Sequence, residues 1–257
     1  MGVDNVLLAR LFELSSRFQP KGRTLMLGRQ TFSLSPRNRR HAERWISRSG
    51  LDISLEDYEQ EDGYSETLMR KLGFGEMETM DFSDFEGAGI VHDLNTLPPK
   101  ELEEQFDLIF DGGTIEHVFN IPNALECLYR MLKPGGRIIS ANGLNGWLGH
   151  GLYQFNPDLV WSFWARACNC NVLDCRAIPE FATKEYGDVQ LPDPALTGVR
   201  LRLAKKIGPG RTYLYYEVEK TDQSHLPRYV LQSDYEAKWG DSSQAGETRL
   251  TSGKGDS

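Results

Sequence analysis

Residues 106–140, "FDLIFDGGTIEHVFNIPNALECLYRMLKPGGRIIS", decide the fold. "FDLIF" is an apolar run of strand length that ends in Asp111, Gly112 and Gly113, none of which a strand needs for its own stability. "NIPNALECLYRML" then spaces its apolar residues as a helix does, Pro134 and Gly135 stop it, and "RIISANG" is apolar again as a strand. Strand, helix and strand in this order make one right-handed parallel crossover. Ligands of such sheets bind beyond the carboxyl ends of the strands, where strand order reverses, and Asp111 stands at such an end.

The pattern extends in both directions. "NVLLARLFEL" places Val6, Leu7, Leu11, Phe12 and Leu14 on one helical face, with "QPKG" ending it; "RTLMLG" follows as a short strand. Helical "YSETLMRKLGF" precedes two strand candidates, Met77 to Met80 and Gly89 to His92. Beyond the deciding stretch, "NPDLVWSFWARACN" has a capping Asn156, Pro157 in the first turn, and Trp161 and Trp164 on one face. "NVLDCRAI" and "RTYLYYEVEK" read as strands. Repeated strand and helix alternation of this kind builds an α/β fold, a mostly parallel sheet with helices on both faces.

The expected organisation is an N-terminal helix over 1–20, one domain over 21–235, and a polar, disordered tail over 236–257. Inside the domain, 30–62 is a helical or loop insertion carrying Arg37, Arg39, Arg40, Arg44 and Arg48, either a solvated face or a grip for a phosphate or uronic acid. Residues 179–200, with Pro179, Pro192 and Pro194, form a long loop of the kind that often serves as a lid.

Composition narrows the partners. A net charge of -8, from 37 acidic and 29 basic side chains, disfavours a nucleic-acid partner and favours a small molecule. No apolar run approaches the ~20 residues of a membrane span, and the first residues lack the order of a signal peptide, so the expected location is cytoplasmic. The four cysteines, Cys127, Cys168, Cys170 and Cys175, do not have paired zinc spacing and read as buried reduced thiols. Composition leaves the oligomeric state open.

Small or acidic residues stand at the strand ends in succession: Gly28, Asp81, Asp93 and Asp111. A glycine admits close backbone approach, and carboxylates can take ribose hydroxyls, an exocyclic amine or a positive charge. In this the chain resembles the class I S-adenosylmethionine-dependent methyltransferases, with "LKPGG" especially typical and "GHGLYQFNPDLVWSFW" similar to a subgroup with a GHGxYQF-type motif. The resemblance covers roughly 22 to 220 and is strongest over 77 to 160.

It implies a Rossmann-like sandwich with a mostly parallel seven-stranded sheet and a terminal antiparallel strand from "TYLYYEVEK". It implies S-adenosyl-L-methionine as cofactor, Gly28 under its methionine part, and Asp81 with Phe82 at its ribose side. It places Asp93 and Leu94 at the adenine, and Asp111 and Gly112 near the amino group. The first motif departs from the family: "LGRQTF" has one glycine and no acid, and Gly28 lies much farther from Asp81 than the ~20 residues of an ordinary fingerprint. Arg29 is then the candidate partner of the cofactor's carboxylate, and Gln30 of its amine.

Methyl transfer to a hydroxyl needs positioning and a base. His117 is a candidate base, or else a helix cap; His150, in "GHG", is the rival base, or else part of a tight turn. Tyr153 and Gln154 suit a hydroxylated acceptor. Asp111, Glu116, His117 and His150 could converge on a divalent ion, but no chelating spacing is present, so no metal is expected. The expected function is O-methylation of a sugar, glycan precursor or natural product; the alternative is a non-catalytic binding or scaffold protein that kept the fold.

Overall fold

The computed structural model describes residues 2–50, 52–197 and 199–233. The chain opens with α1, Asn5–Ser15, whose N-terminal amides are met by the Asp4 carboxylate, which accepts from Val6 and Leu7 N–H. The strands are β1 Arg23–Leu27, β2 Glu76–Asp81, β3 Ile90–Val91, β4 Phe106–Asp111, β5 Leu132–Asn145, β6 Asn171–Pro179, β7 Val189–Gln190 and β8 Thr212–Glu219. Among the described residues they form one eight-stranded sheet in the order β3-β2-β1-β4-β5-β8-β6-β7.

The run from β3 to β5 is parallel. β8 is antiparallel to both β5 and β6, so β6 regains the direction of β5. The expected terminal antiparallel strand is therefore β8, inserted between β5 and β6. The sheet has one strand more than the seven expected, the two-residue β7 on its edge. Strand order reverses between β1 and β4, whose carboxyl ends lie side by side, Leu27 paired with Asp111.

Alternation of side chains along each strand divides the core into two layers. Leu25, Leu27, Ile109, Ile138 and Tyr216 pack on one face with α4, Ile121–Met131. Met26, Leu108, Phe110, Ile139 and Tyr215 pack on the other with α1, with α2, Pro36–Ser49, and with α3, Glu66–Lys71. Each such buried side chain contributes roughly 1.5–3 kcal/mol, so the strands at the centre of the sheet are also its firmest anchor.

The deciding stretch folds as read, with one shift. α4 ends at Met131, ahead of Pro134, because β5 starts at once: Leu132 pairs with Phe106, a bulge follows, and pairing resumes at Arg137 with Leu108. The buried Lys220 ammonium donates to the Tyr129 and Leu132 carbonyls, closing the helix end where a cation is favoured.

The helix from "NPDLVWSFWARACN" begins as α5, Pro157–Leu159, capped by Asn156 Oδ1, and widens into a π-helix over Val160–Ala167. The insertion at 30–62 contains α2, whose Ala42 and Ile46 are buried and whose Trp45 meets Phe12. Of its arginines, Arg39 pairs with Glu59, Arg37 lies over the Phe181 ring, and Arg44 and Arg48 line a 370 Å³ cavity between α1, α2 and the end of β6. Within 179–200 stand β7 and α6, Pro194–Thr197. The expected tail at 236–257 lies outside the described residues. All four cysteines are buried and free of disulfides. Among the described residues no helix is long and apolar enough to cross a membrane.

Candidate active site

The turns after β1 and β4 are stitched together. Gly28 adopts φ +64°, a conformation open to glycine, and its N–H donates to the Met80 carbonyl at 2.7 Å. A Cβ there would stand 3.0 Å from Thr114 Oγ1 and 3.3 Å from Gln30 Nε2. Both of these groups donate to the Leu27 carbonyl, Thr114 at 2.7 Å and Gln30 at 2.8 Å. Gln30 is buried against Gly112, and its Oε1 is a buried acceptor with no partner. An orphaned acceptor at the reversal point suits a cationic ligand group.

Asp81, at the end of β2, accepts from Phe82 N–H through Oδ1 at 2.6 Å, while its Oδ2 faces Gly28, 3.9 Å from the position a Cβ would take. Phe82 itself is exposed. Beyond β3, Asp93 Oδ1 accepts from Asn95 N–H and Nδ2, and those two bonds hold its carboxyl below the usual range. Leu94 packs into the core and its carbonyl accepts from Asn123. Gly28, Gln30, Asp81 and Asp93 thus all stand at or beyond the carboxyl ends of the parallel strands β1, β2 and β3.

Two expected ligand contacts are redirected. Asp111 is fully buried, and its carboxylate accepts from Thr114 and Ile115 N–H through Oδ1 and from Ser140 Oγ and Asn142 Nδ2 through Oδ2. All four of those donors come from the protein, so Asp111 fixes the turn after β4 to β5 and has no free face for a cofactor's amino group. Burial pushes its carboxyl up, and these donors oppose that shift. Arg29 points away from the strand ends: Glu66 at 2.5 Å, Asp62 at 2.8 Å and the Glu86 carbonyl hold its guanidinium over the Tyr64 ring. A guanidinium with two carboxylates already has the pairing that a ligand carboxylate would have supplied.

Past β4 the chain turns through Ile115–His117. That turn buries Glu116, whose Oε2 accepts from Gly143 N–H at 2.6 Å. Glu116 Oε1 stands 3.2 Å from His150 Nε2 and 3.9 Å from His117 Nε2, and the two imidazole rings are 5.3 Å apart. His150 reaches this point because Gly151 presses its loop onto Glu116, where a Cβ would meet the Glu116 carbonyl at 3.0 Å. The rival bases of the sequence reading are therefore neighbours around one acid. Burial pushes Glu116 up to about 7 and pulls both imidazoles below their ordinary value.

Tyr153 and Gln154 have internal partners. Tyr153 donates its hydroxyl to the Phe119 carbonyl, and Gln154 Oε1 accepts from Trp147 N–H, so both fasten the loop that carries His150. The sequence pairs Glu116 with His117 and admits it to a possible metal cluster, but gives no role to Ser140 and Asn142. Their alternation in "ISAN" on β5 was the available signal, since it puts both on the face turned to Asp111.

Residues 73–140 match the family described as a methyltransferase domain. No curated protein matches the chain. Among solved structures, the chain is similar to a Haloferax volcanii putative methyltransferase in complex with its Trm112 activator, at 14% identity over 86% of this chain and 97% of that one, TM-score 0.45. A Burkholderia thailandensis 1,6-didemethyltoxoflavin-N1-methyltransferase with bound S-adenosylhomocysteine is similar at 15% identity over 84% and 76%, TM-score 0.40. An Archaeoglobus fulgidus S-adenosylmethionine-dependent methyltransferase is similar at 11% identity over 84% and 93%, TM-score 0.42. The matched segment runs from the start of β2 through β4 and α4 into β5, the part of the sheet that presents Asp81, Asp93 and Asp111. That match, on a Rossmann-like sheet, supports reading the chain as a methyltransferase with S-adenosylmethionine as its cofactor.

Proposed function

We propose that the chain methylates a hydroxyl oxygen of a small acceptor, a sugar, a glycan precursor or a natural product. The observation that carries this reading is the cluster of Glu116, His117 and His150 beside the strand end that borders the cofactor edge. A hydroxyl must lose its proton as its oxygen takes the methyl group, and an acid poised near neutrality beside two imidazoles suits that task. The net charge of -8 weighs against a nucleic-acid acceptor, and four free buried thiols accord with a reducing, cytosolic setting.

The bound cofactor supplies a methyl group on a sulfonium. The protein's part is placement. Gly28 lets the backbone of the β1 turn approach the cofactor's amino-acid end, and Gln30 Oε1 accepts a hydrogen bond from its ammonium. Asp81 Oδ2 accepts from ribose hydroxyls with Phe82 beside it, and Asp93 and Leu94 border the adenine. The Glu116 cluster receives the acceptor hydroxyl. Alignment of oxygen and methyl provides most of the rate enhancement in such a displacement. The test is transfer of labelled methyl groups to a panel of hydroxylated acceptors. Labelled products that resist amine-specific cleavage support oxygen as the target; labelling confined to nitrogen or carbon acceptors contradicts it.

A further inference from the structure

Glu116, His117 and His150 each present one ligand atom, and the three atoms lie within 4.8 Å of one another. Atoms that share a first-row metal at about 2.0–2.2 Å stand roughly 3–3.5 Å apart. The Glu116–His150 separation of 3.2 Å is already in that range, and the Glu116–His117 separation of 3.9 Å closes with a small turn of the half-exposed His117 side chain. We propose that these three residues bind a divalent transition-metal cation, of the kind typified by Zn²⁺ or Mn²⁺. Two imidazoles and one carboxylate are a donor set that such ions take while keeping positions open.

The surroundings are those of a held site. Gly143 N–H fixes Glu116 Oε2 and so aims Oε1 at the imidazoles. The Trp147 ring packs 5.0 Å from the His150 ring. Among the described residues the ion-pair partners of this buried carboxylate are the two histidines, and the Arg211 guanidinium lies over the Trp147 ring that packs on His150. A cation would offset the cost of burying it.

The open positions of the ion would take an oxygen of the acceptor, and this last step rests on the hydroxyl-methylation reading; the binding of the ion does not. The ion would then orient the hydroxyl and make it acidic enough to lose its proton to solvent water, with its ligands no longer serving as the base. This departs from the sequence expectation that no metal is held, which rested on the lack of a chelating spacing along the chain.

Untagged full-length protein, stripped with a chelator, is titrated with Co²⁺ and Zn²⁺ by visible absorption and calorimetry, without cofactor or acceptor. The expected result is one ion per chain with cobalt bands in the visible. Glu116→Gln, His117→Ala and His150→Ala should each weaken binding at least about tenfold. Asp81→Ala should leave it unchanged. Circular dichroism shows that each variant is folded, as does retained S-adenosylhomocysteine affinity for the three ligand variants, and His117→Ala, at a half-exposed position, is the variant least exposed to misfolding. No stoichiometric binding, or binding indifferent to all three substitutions, overturns the proposal and leaves the methyl-transfer reading standing. Ion binding without methyl transfer to any hydroxyl would retain the site and sink the role assigned to it.

Discussion

Glu116 Oε1 lies 3.2 Å from His150 Nε2, joining the turn after β4 to the loop after β5. In the metal-free protein its acid has been raised from 4.5 to about 7 by burial. The unfolded chain therefore releases this proton at lower pH than the folded one. Its contribution to stability is complete below about 4.5, falls as pH rises and is lost above about 7. The expected loss is about 3 kcal/mol across that window, measured by urea denaturation in chelator. Glu116→Gln should flatten that part of the profile, and an unchanged slope would contradict the burial argument.

Asp111 is a structural anchor on this account. Asp111→Ala leaves Ser140, Asn142 and the Thr114 and Ile115 amides without their acceptor, at a cost of about 3 kcal/mol or more. Denaturant titration should show a lower midpoint, while the folded fraction keeps measurable cofactor affinity. Wild-type stability in the variant would mean that the four hydrogen bonds are not formed in solution.

Arg29 and Gln30, neighbours in the chain, should behave differently. Arg29→Ala loses Glu66 and Asp62 and is expected to lower the melting temperature with little effect on S-adenosylhomocysteine affinity. Gln30→Leu removes the orphaned acceptor and is expected to weaken that affinity by about tenfold, the value of one hydrogen bond to a charged group. A reversed pattern in calorimetry would restore the pairing of Arg29 with the cofactor carboxylate.

Gly28→Ala adds a Cβ at φ +64°, close to Thr114 Oγ1 and Gln30 Nε2. The conformational strain alone is about 1–2 kcal/mol. Displacing either neighbour also disturbs the junction of the β1 and β4 turns, so both stability and cofactor affinity should fall. Thermal melts with and without S-adenosylhomocysteine separate the two effects.

The frame of the sheet was legible because periodicity is local. The strand and helix patterns of β1, β2, β4, α4 and β8 each lie within one window, and the strand ends bearing Gly28, Asp81 and Asp93 followed directly. What escaped depends on contacts between distant segments. Asp111 looks free until β5 pairs with β4 and brings Ser140 and Asn142 across it. Arg29 looks available until the insertion returns Asp62 and Glu66 to its side. The π-helix over 160–167 shares its apolar spacing with an ordinary helix, and β7 and α6 are too short to show a period. His117 and His150 were read as rivals because nothing in their spacing showed that Gly151 lets the loop close on Glu116.

The central claim is a cofactor edge assembled from Gly28, Gln30 and Asp81 despite a glycine-poor first motif. Its most direct test is calorimetric titration of the purified protein and of Asp81→Ala with S-adenosylhomocysteine. The account expects stoichiometric binding at micromolar affinity, weakened at least about tenfold in the variant by loss of the ribose hydrogen bonds. Folded wild-type protein that fails to bind at millimolar ligand, or a variant that binds as tightly as the wild type, would contradict it.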